Sequence, residues 1–226
     1  MNPLLTDIQR QLEQHPGSYR FLYTKPESIN SPYIFVGLNP GGADTDPKDL
    51  FVKEGNAFIN EKWSADGKKY NPLQQQVQAL FQGTASASAS WQTTMSEKWL
   101  ISNYVFYRSP RWAAMQTEEK KPHIATSKMI WRQLFAIQKP RIVIANGFDT
   151  YANMLALLKA DGFHVTKENK TPKAWLGPHI ATLQKDQHRC LLIGFGHLST
   201  FKVIKRPESK PQLDKVYALI KEYSDL

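Results

Sequence analysis

Three apolar runs in this sequence end at polar residues of types that can do chemistry. Asn39 follows the run 34–38 and precedes a Pro-Gly turn, and His197 follows the run 190–195. Asn103 stands at the end of a third such stretch. Because open α/β sheets bind ligands outside the carboxyl ends of their strands, we expect these three side chains to converge on one crevice.

Apolar strands and amphipathic helices alternate along the chain and predict the elements that position these residues. Strands are predicted at 33–38, 99–106, 142–145 and 189–195, with short extended pieces around His164 and Ile180. Helices are predicted at 4–12, 71–82, 127–137, 149–159 and 213–223. We therefore expect an α/β fold, with residues 1–226 forming a single domain. Its architecture is expected to be a three-layer α/β/α sandwich around a four-stranded, mainly parallel sheet.

Three local features add detail to this fold. The helix at 127–137 is expected to turn Met129, Ile130, Leu134 and Ile137 inward, and Asp149 or Thr150 is expected to cap the next helix. The stretch from 43 to 70 is rich in Asp, Lys and Asn, and an irregular segment of that length is usually functional or disordered. The Ala-Ser repeat at 84–90 is expected to be a flexible connector without chemistry.

The charge of the chain favours a polyanionic partner. Its 29 Lys and Arg residues exceed its 20 Asp and Glu residues, which gives a formal net charge of +9. When Lys and Arg bind to phosphates, they release the cations that had condensed there, so a basic excess favours nucleic acid as a partner. The alternative is a soluble basic protein whose charge only prevents self-association, and charge alone does not decide between the two.

The single cysteine and the lack of long apolar segments exclude several classes of protein. One cysteine cannot form an intramolecular disulfide, a zinc ribbon or a four-cysteine iron–sulfur cluster. Cys190 lies within an apolar run and is interpreted as a small buried hydrophobe. No signal peptide and no run of about 20 apolar residues is recognisable, so we expect a cytoplasmic monomer without membrane contact.

Four segments, 37–41, 100–103, 142–152 and 196–199, follow one another along most of the chain, and together they resemble the motifs of the uracil-DNA glycosylase superfamily. The sequence Gly37-Leu38-Asn39-Pro40-Gly41 resembles its first motif, in the Asn form of the mismatch-specific and single-strand-selective types. The stretch 100–103 is similar to the strand whose terminal Asn reads uracil, and 142–152 resembles the third strand and helix. Gly196-His197-Leu198-Ser199 resembles the second motif, which is normally His-Pro-Ser.

This resemblance implies a role for each of the three polar residues. Breaking an N-glycosidic bond leaves negative charge on the base, which a neutral His197 can stabilise by donating toward a base carbonyl. Asn39 can orient a water for attack on the sugar, but an amide cannot take the proton as a carboxylate could, so the enzyme is expected to be slow. Asn103 offers one donor and one acceptor, which match the imide edge of uracil.

The same resemblance implies a pocket for a flipped base. The duplex hides the imide edge, so the base must leave the helix and stack in the protein. Base-binding residues are expected at Gly37, Leu38, Pro40, Gly41, Phe58 and Asn103. Gly55-Asn56-Ala57-Phe58 resembles the family's Gly-x-x-Phe motif, so Phe58 is the expected stacking ring, and Phe51 is the competing candidate.

Contacts to DNA are expected from the loop that follows His197. Lys202, Lys205 and Arg206 are interpreted as phosphate contacts, with a solvated loop as the alternative. Leu198, Ser199 and Phe201 complete the predicted DNA-binding set. Leu198 and Phe201 are wedges into the gap left by the base, or else core anchors of the loop.

Two departures from the family pattern bear on these expectations. Leu198 replaces the usual proline, which changes the constraint on the loop. Gly41 replaces the residue that blocks thymine in strict uracil enzymes, and this substitution opens the pocket to other bases. The segment 43–70 is a further place where specificity for a larger or modified base could arise.

The leading hypothesis is therefore a monofunctional DNA glycosylase that acts on uracil or a related damaged or modified base. It requires no metal and no cofactor. A non-catalytic DNA- or nucleotide-binding module on the same fold is the alternative, because fold does not establish function. Hydrolysis of a free nucleoside or nucleotide is a third possibility, in which the basic loop after His197 would have no role.

Overall fold

The computed structural model describes residues 2–84 and 90–224 of the chain. The expected connector at 84–90 lies outside the described residues for positions 85–89. The strands are β1 (Tyr33–Gly37), β2 (Trp99–Asn103), β3 (Ile142–Asn146), β4 (His164–Asn169), β5 (His179–Lys185) and β6 (His188–Phe195). The α-helices of the described residues are α1 (Pro3–Leu12), α2 (Ala57–Asn60), α3 (Pro72–Thr84), α4 (Trp91–Glu97), α5 (Thr117–Gln138), α6 (Phe148–Ala160), α7 (Leu198–Phe201) and α8 (Lys210–Tyr223).

The sheet has six strands in the order β2-β1-β3-β6-β5-β4 and is mixed. Its four predicted strands, β2, β1, β3 and β6, pair in parallel. β5 and β4 are added to β6 as antiparallel strands. The expectation of a four-stranded sheet is therefore wrong, because the short extended pieces around His164 and Ile180 form a hairpin that continues the sheet.

Side chains alternate between the two faces of the sheet, and helices pack against both. In β1, Ile34 and Val36 belong to a core shared with α1, α5 and α6. Tyr33 and Phe35 belong to the opposite core, shared with α3, α4 and α8. All five β1 residues are buried, as is typical of a parallel strand covered on both sides. This arrangement agrees with the three layers expected from the sequence.

Helix α5 differs from its prediction in its start and in two of the residues expected to face the core. α5 starts ten residues earlier than expected, and Met129 and Ile137, which are predicted to face the core, are 47% and 49% exposed. The longer helix buries Ile130 and Leu134 together with Trp131 and Phe135 instead.

The expected cap of the helix after β3 is also wrong. The residue that caps α6 is Gly147, at φ 110°, without a side-chain cap. Thr150 instead donates its hydroxyl hydrogen back to the Asn146 carbonyl at 3.1 Å.

Candidate active site

A pocket of about 520 Å³ opens at the carboxyl ends of the four parallel strands. The register pairs Gly37 with Asn103 and Asn146 with Phe195, so the strands end at the same edge. Many of the residues predicted from the sequence line this pocket, namely Gly37, Leu38, Asn39, Gly41, Phe58, Asn103 and His197. Pro40 does not line the pocket, although its carbonyl takes part in holding Asn39.

The side-chain amide of Asn39 is held in place by the hydrogen bonds that its N–H groups donate. Its Nδ2 donates to the carbonyl of Pro40 at 2.9 Å and to the carbonyl of Ser109 at 3.3 Å. The Ser109 N–H donates in turn to the Pro40 carbonyl at 3.0 Å, which closes the turn after β1. Because both N–H groups are engaged, Oδ1 is the atom with which this amide can accept a hydrogen bond from a ligand or a water.

Asn103 lies at the end of β2, where its amide is buried against the first strand. The residue is 5% exposed, and its Nδ2 donates to the Tyr23 hydroxyl at 3.0 Å. A Cβ at Gly37 would overlap Asn103 Oδ1, so glycine at this position provides the space that the amide occupies. Burial raises the pKa of Tyr23, so its phenol remains protonated beside Asn103. One N–H group and Oδ1 of Asn103 remain for a ligand.

His197 follows β6 and is the N-terminal cap residue of α7. Its Nδ1 is 2.8 Å from Ser199 Oγ. In the tautomer whose Nδ1 accepts the Ser199 hydroxyl, the proton of the neutral imidazole is on Nε2, which can then donate to a ligand. The ring is open to solvent on one side, and the protein around the rest of it lowers the pKa of His197 by desolvation. The imidazole is thus neutral at neutral pH.

The loop that holds His197 is pinned by Asn146, a residue whose role the sequence did not reveal. Asn146 ends β3, is 3% exposed, and accepts the Leu198 N–H at 2.8 Å through Oδ1. Proline at position 198 would have no hydrogen to donate. Leucine at position 198 therefore supplies a hydrogen bond that fixes this loop.

Leu198 does not occupy the position of a wedge. Its side chain is fully buried among residues of α3 and α8, which corresponds to the alternative of a core anchor. Phe201 is half-buried and packs against the same core, while Ser199 is bonded to His197. Insertion of Leu198 into DNA would require the loop to leave its core.

Phe58 provides the aromatic wall of the pocket. It lies in α2, where Asn56 Oδ1 accepts the Phe58 N–H at 2.9 Å. Its ring packs against Tyr23, with centroids 5.5 Å apart, and against Trp63, with centroids 4.7 Å apart. The competing candidate, Phe51, packs against the opposite core and is not among the residues that line the pocket.

Two arginine–carboxylate pairs at the pocket were missed by the sequence analysis. Arg20 forms a two-pronged pair with Glu61, and Arg108 Nη2 donates to Asp49 Oδ2 at 2.6 Å. Arg108 Nη1 also donates to the Gly41 carbonyl at 3.0 Å. Both carboxylates come from the segment 43–70, so the pairs tie this segment to the pocket. No spacing signal joins residues that lie 41 and 59 positions apart.

The charge on Glu61 is stabilised by its partners. Burial raises the pKa of Glu61, but hydrogen bonds from Arg20 and from Trp63 Nε1, at 2.7 Å, outweigh it and leave the pKa below its ordinary value. Glu61 is therefore an anion in the pocket wall at neutral pH.

The three basic residues after His197 line a second groove of about 440 Å³. Lys202, Lys205 and Arg206 face Gln75 and Gln76 of α3 across it, with Pro72 and Glu208 completing its wall. The groove thus combines three cations with one carboxylate. All three cations follow α7, on the chain segment that leads away from His197 and the pocket.

Comparison with protein-family models and with curated protein sequences finds no match for this chain. Within residues 2–84 and 90–224, no three His, Cys, Asp or Glu side chains are grouped as metal ligands would be. No helix in the described part of the chain is both long and apolar enough to cross a membrane. Cys190 is fully buried, which raises the pKa of its thiol and confirms its interpretation as a core residue.

Proposed function

We propose that this protein is a monofunctional DNA glycosylase that hydrolyses the N-glycosidic bond of uracil or a related base in DNA. The observation behind this proposal is the pocket at the carboxyl edge of the sheet. Asn39, Phe58, Asn103 and His197 come from four separated parts of the sequence, and all four line it. Each has the chemical type that base recognition and base release require.

In this mechanism His197 stabilises the departing base. As the bond from the sugar C1′ to the base nitrogen breaks, both bonding electrons leave with the base, and negative charge develops on it. In the tautomer whose Nδ1 accepts the Ser199 hydroxyl, the neutral imidazole donates from Nε2 to a base carbonyl. A preorganised donor at such a site typically contributes about 2.7–4 kcal/mol to the transition state.

Asn39 has the complementary task of placing the attacking water. Its two N–H groups are held by backbone carbonyls, so Oδ1 accepts a hydrogen from the water and directs the water oxygen to C1′. The oxygen bonds to C1′ as the base leaves, and one water proton is released to solvent or to the departing base. The products are an abasic site and the free base.

Asn103 and Phe58 select the flipped base. The free N–H of Asn103 donates to a base carbonyl, and its Oδ1 accepts from the imide N–H. Phe58 offers the ring for stacking. A Cβ at Gly41 would meet no atom within 4 Å, so this side of the pocket leaves room for a base larger than uracil.

DNA is the substrate that accounts for the basic groove beside the pocket. Lys202, Lys205 and Arg206 are suited to contact phosphates on either side of the flipped nucleotide. A free nucleoside has no phosphate backbone and would leave these three cations without a function. The groove is the reason for preferring a polymeric substrate.

The proposal is tested with oligonucleotides that each contain one lesion, followed by alkaline cleavage of abasic sites. We expect cleavage at uracil or at a related base, in the presence of a chelator and without added metal. If no lesion in such a panel yields an abasic site while the protein binds the same DNA, the chain is a binding module. If activity is lost in chelator and restored by a divalent ion, the proposed chemistry is wrong.

A further inference from the structure

The loop that joins β4 to β5 presents a tryptophan between two cations. We call residues 170–177 the tryptophan loop. Trp175 is half-buried, with Lys173 Nζ 5.4 Å and Arg206 Cζ 5.3 Å from the centre of its ring. Lys173 belongs to the loop itself, whereas Arg206 comes from the basic segment after His197. Two parts of the chain thus place positive charge at one half-buried aromatic ring.

The tryptophan loop is held in position by contacts with α8 and with the segment before it. The carbonyl of Trp175 accepts the hydroxyl hydrogen of the fully buried Ser209 at 2.9 Å. Thr171 Oγ1 donates to the Pro178 carbonyl at 2.6 Å, and a Cβ at Gly177 would lie 3.0 Å from Gln212 Cβ. A loop fixed in this way loses little conformational freedom when it binds a ligand.

The loop also adjoins the candidate active site. A Cβ at Gly196 would lie 2.9 Å from Ala174 Cβ and 2.9 Å from Phe201 Cδ2. Gly196 directly precedes His197, so the residue next to Trp175 packs against the segment that positions the imidazole. Arg206 belongs both to this site and to the basic groove of about 440 Å³. The tryptophan loop therefore meets the groove at Arg206 and packs against the segment that holds His197.

The chemistry of this surface fits a nucleic-acid strand whose bases are not paired. Residues 170–177 include two lysines and no carboxylate. Aromatic rings stack on any base with an open face, and neighbouring cations contact the backbone. A paired base in a duplex has no such face to offer.

We propose that the tryptophan loop binds unpaired nucleotides of DNA next to the flipped one, with Trp175 stacked on a base and Lys173 on a phosphate. The placement of this strand at the pocket rests on the glycosylase function proposed above. Binding of unpaired DNA at the loop does not depend on any base being excised.

The test is fluorescence anisotropy of a labelled thymidine homopolymer, which has no lesion, with the full-length protein over a series of salt concentrations. Trp175→Ala is expected to weaken binding about tenfold, since stacking on one aromatic ring contributes on that order. Trp175→Phe should keep most of the affinity. Lys173→Ala should lower the salt slope by about 0.7, the value for one phosphate contact on a single strand.

Lys185→Ala is the matched control. Lys185 also lies over an aromatic ring, that of Phe163, at 5.9 Å, but it is at the opposite end of β5. It is about 20 Å along the strand from the tryptophan loop. This variant should bind the homopolymer with a slope close to that of the parent, apart from the general loss of one charge.

Three results would overturn the proposal. The first is unchanged homopolymer affinity in Trp175→Ala with a normal melting temperature. The second is an equal loss of affinity for homopolymer and for blunt duplex, which would indicate a backbone contact without stacking. The third is a loss of homopolymer affinity in Trp175→Phe that is as large as the loss in Trp175→Ala. A parent protein that excises no base but shows the predicted Trp175 effect would contradict only the glycosylase proposal.

Discussion

At the scale of single residues, the candidate site depends on amides whose orientation is set by their neighbours. Both donors of Asn39 are taken up by the carbonyls of Pro40 and Ser109, and one donor of Asn103 by the Tyr23 hydroxyl. An amide fixed in this way presents a defined atom to its ligand instead of rotating between two arrangements. Preorganisation of this kind is what distinguishes a binding site from a polar surface.

The first prediction concerns base recognition by Asn103. Asn103→Asp keeps the shape of the side chain but replaces its donor with a second acceptor, which suits cytosine better than uracil. A good polar pair discriminates bases by about 1–3 kcal/mol, so uracil excision should fall at least tenfold and cytosine excision should become measurable. Single-turnover cleavage of matched uracil and cytosine oligonucleotides measures both. An unchanged uracil rate would remove Asn103 from base recognition.

The second prediction concerns the space beside that amide. In Gly37→Ala the new methyl group would overlap Asn103 Oδ1 and push the amide out of its position. We expect uracil excision to fall by at least as much as in Asn103→Asp, without any gain of cytosine excision. Gly41→Ala is the control, because a Cβ there meets nothing within 4 Å and should leave uracil excision near the parental rate. Equal rates for the two variants would count against the role assigned to Gly37.

At the scale of elements, the end of β3 supports the loop that follows β6. Asn146 Oδ1 accepts the buried Leu198 N–H, and His197 is the preceding residue. This hydrogen bond links β3 to the loop after β6, beyond the last backbone pairing between the two strands. Asn146 therefore fixes the residue that follows His197, and we propose that it positions the imidazole.

Removal of this link gives the third prediction. Asn146→Ala leaves the Leu198 N–H without a partner in a buried place, which typically costs about 1–3 kcal/mol. We expect a lower melting temperature and a single-turnover rate reduced more than the affinity for DNA is. The further loss on adding His197→Ala should be smaller in this background than in the parent, since the imidazole is already misplaced. Full additivity of the two losses would show that Asn146 does not act through His197.

The segment 43–70 is the second element-scale feature, because its two carboxylates pair with Arg20 and Arg108. The pKa of Glu61 is lower in the folded protein than its ordinary value. The Glu61–Arg20 pair therefore stabilises the fold at pH values above the ordinary glutamate pKa of about 4.3. This stabilisation is lost as the pH falls through the lower pKa of the folded state.

The fourth prediction concerns the pH dependence of this stabilisation. Glu61→Gln should melt at a lower temperature than the parent at pH 7, and the difference should shrink as the pH is lowered below about 4. Glu118→Gln is the control, because the Glu118–Lys121 pair is highly exposed and contributes little. A melting difference for Glu61→Gln that stays constant from pH 7 to pH 3 would contradict the assignment.

The sequence predicts the four parallel strands for a physical reason, although β2 ends at Asn103 and not at the expected residue 106. A strand buried on both faces is a continuous apolar run, and its end is marked where that run stops at Asn39 or His197. β4 has no such signal, since most of its residues are exposed and polar or charged, and its sequence predicts only a short extended piece. The start of α5 is missed where Pro122 interrupts the helical pattern. The pairs of Arg20 and Arg108 depend on tertiary contacts that no local pattern contains.

At the scale of the whole molecule, the charge of +9 is consistent with binding to a polyanion. What the net charge does not specify is where that polyanion lies. We propose the groove lined by Lys202, Lys205 and Arg206 as that location, with the tryptophan loop as its extension. If these residues contact phosphates, the salt dependence of DNA binding can be assigned to them individually.

The fifth prediction uses that dependence. Replacement of Lys202, Lys205 and Arg206 by alanine should reduce the salt slope for duplex binding by about 2–3, since each phosphate that is no longer neutralised accounts for about 0.9. Replacement of Lys120, Lys121 and Lys128 on α5 changes the net charge equally and is the control. If both triple variants change the slope by the same amount, the groove has no special part in binding and net charge alone is responsible.

The most direct test of the central claim is the single-turnover rate of uracil excision by the parent protein and by Asn39→Ala, with DNA affinity measured for both. The parent should excise uracil, and Asn39→Ala should lose most of the rate while its affinity for lesion DNA changes little, because the oriented water matters only in the chemical step. His197→Ala, measured beside it, should fall in rate by about 10²–10³. Parental single-turnover rates in both variants would contradict the assignment of catalysis to this pocket.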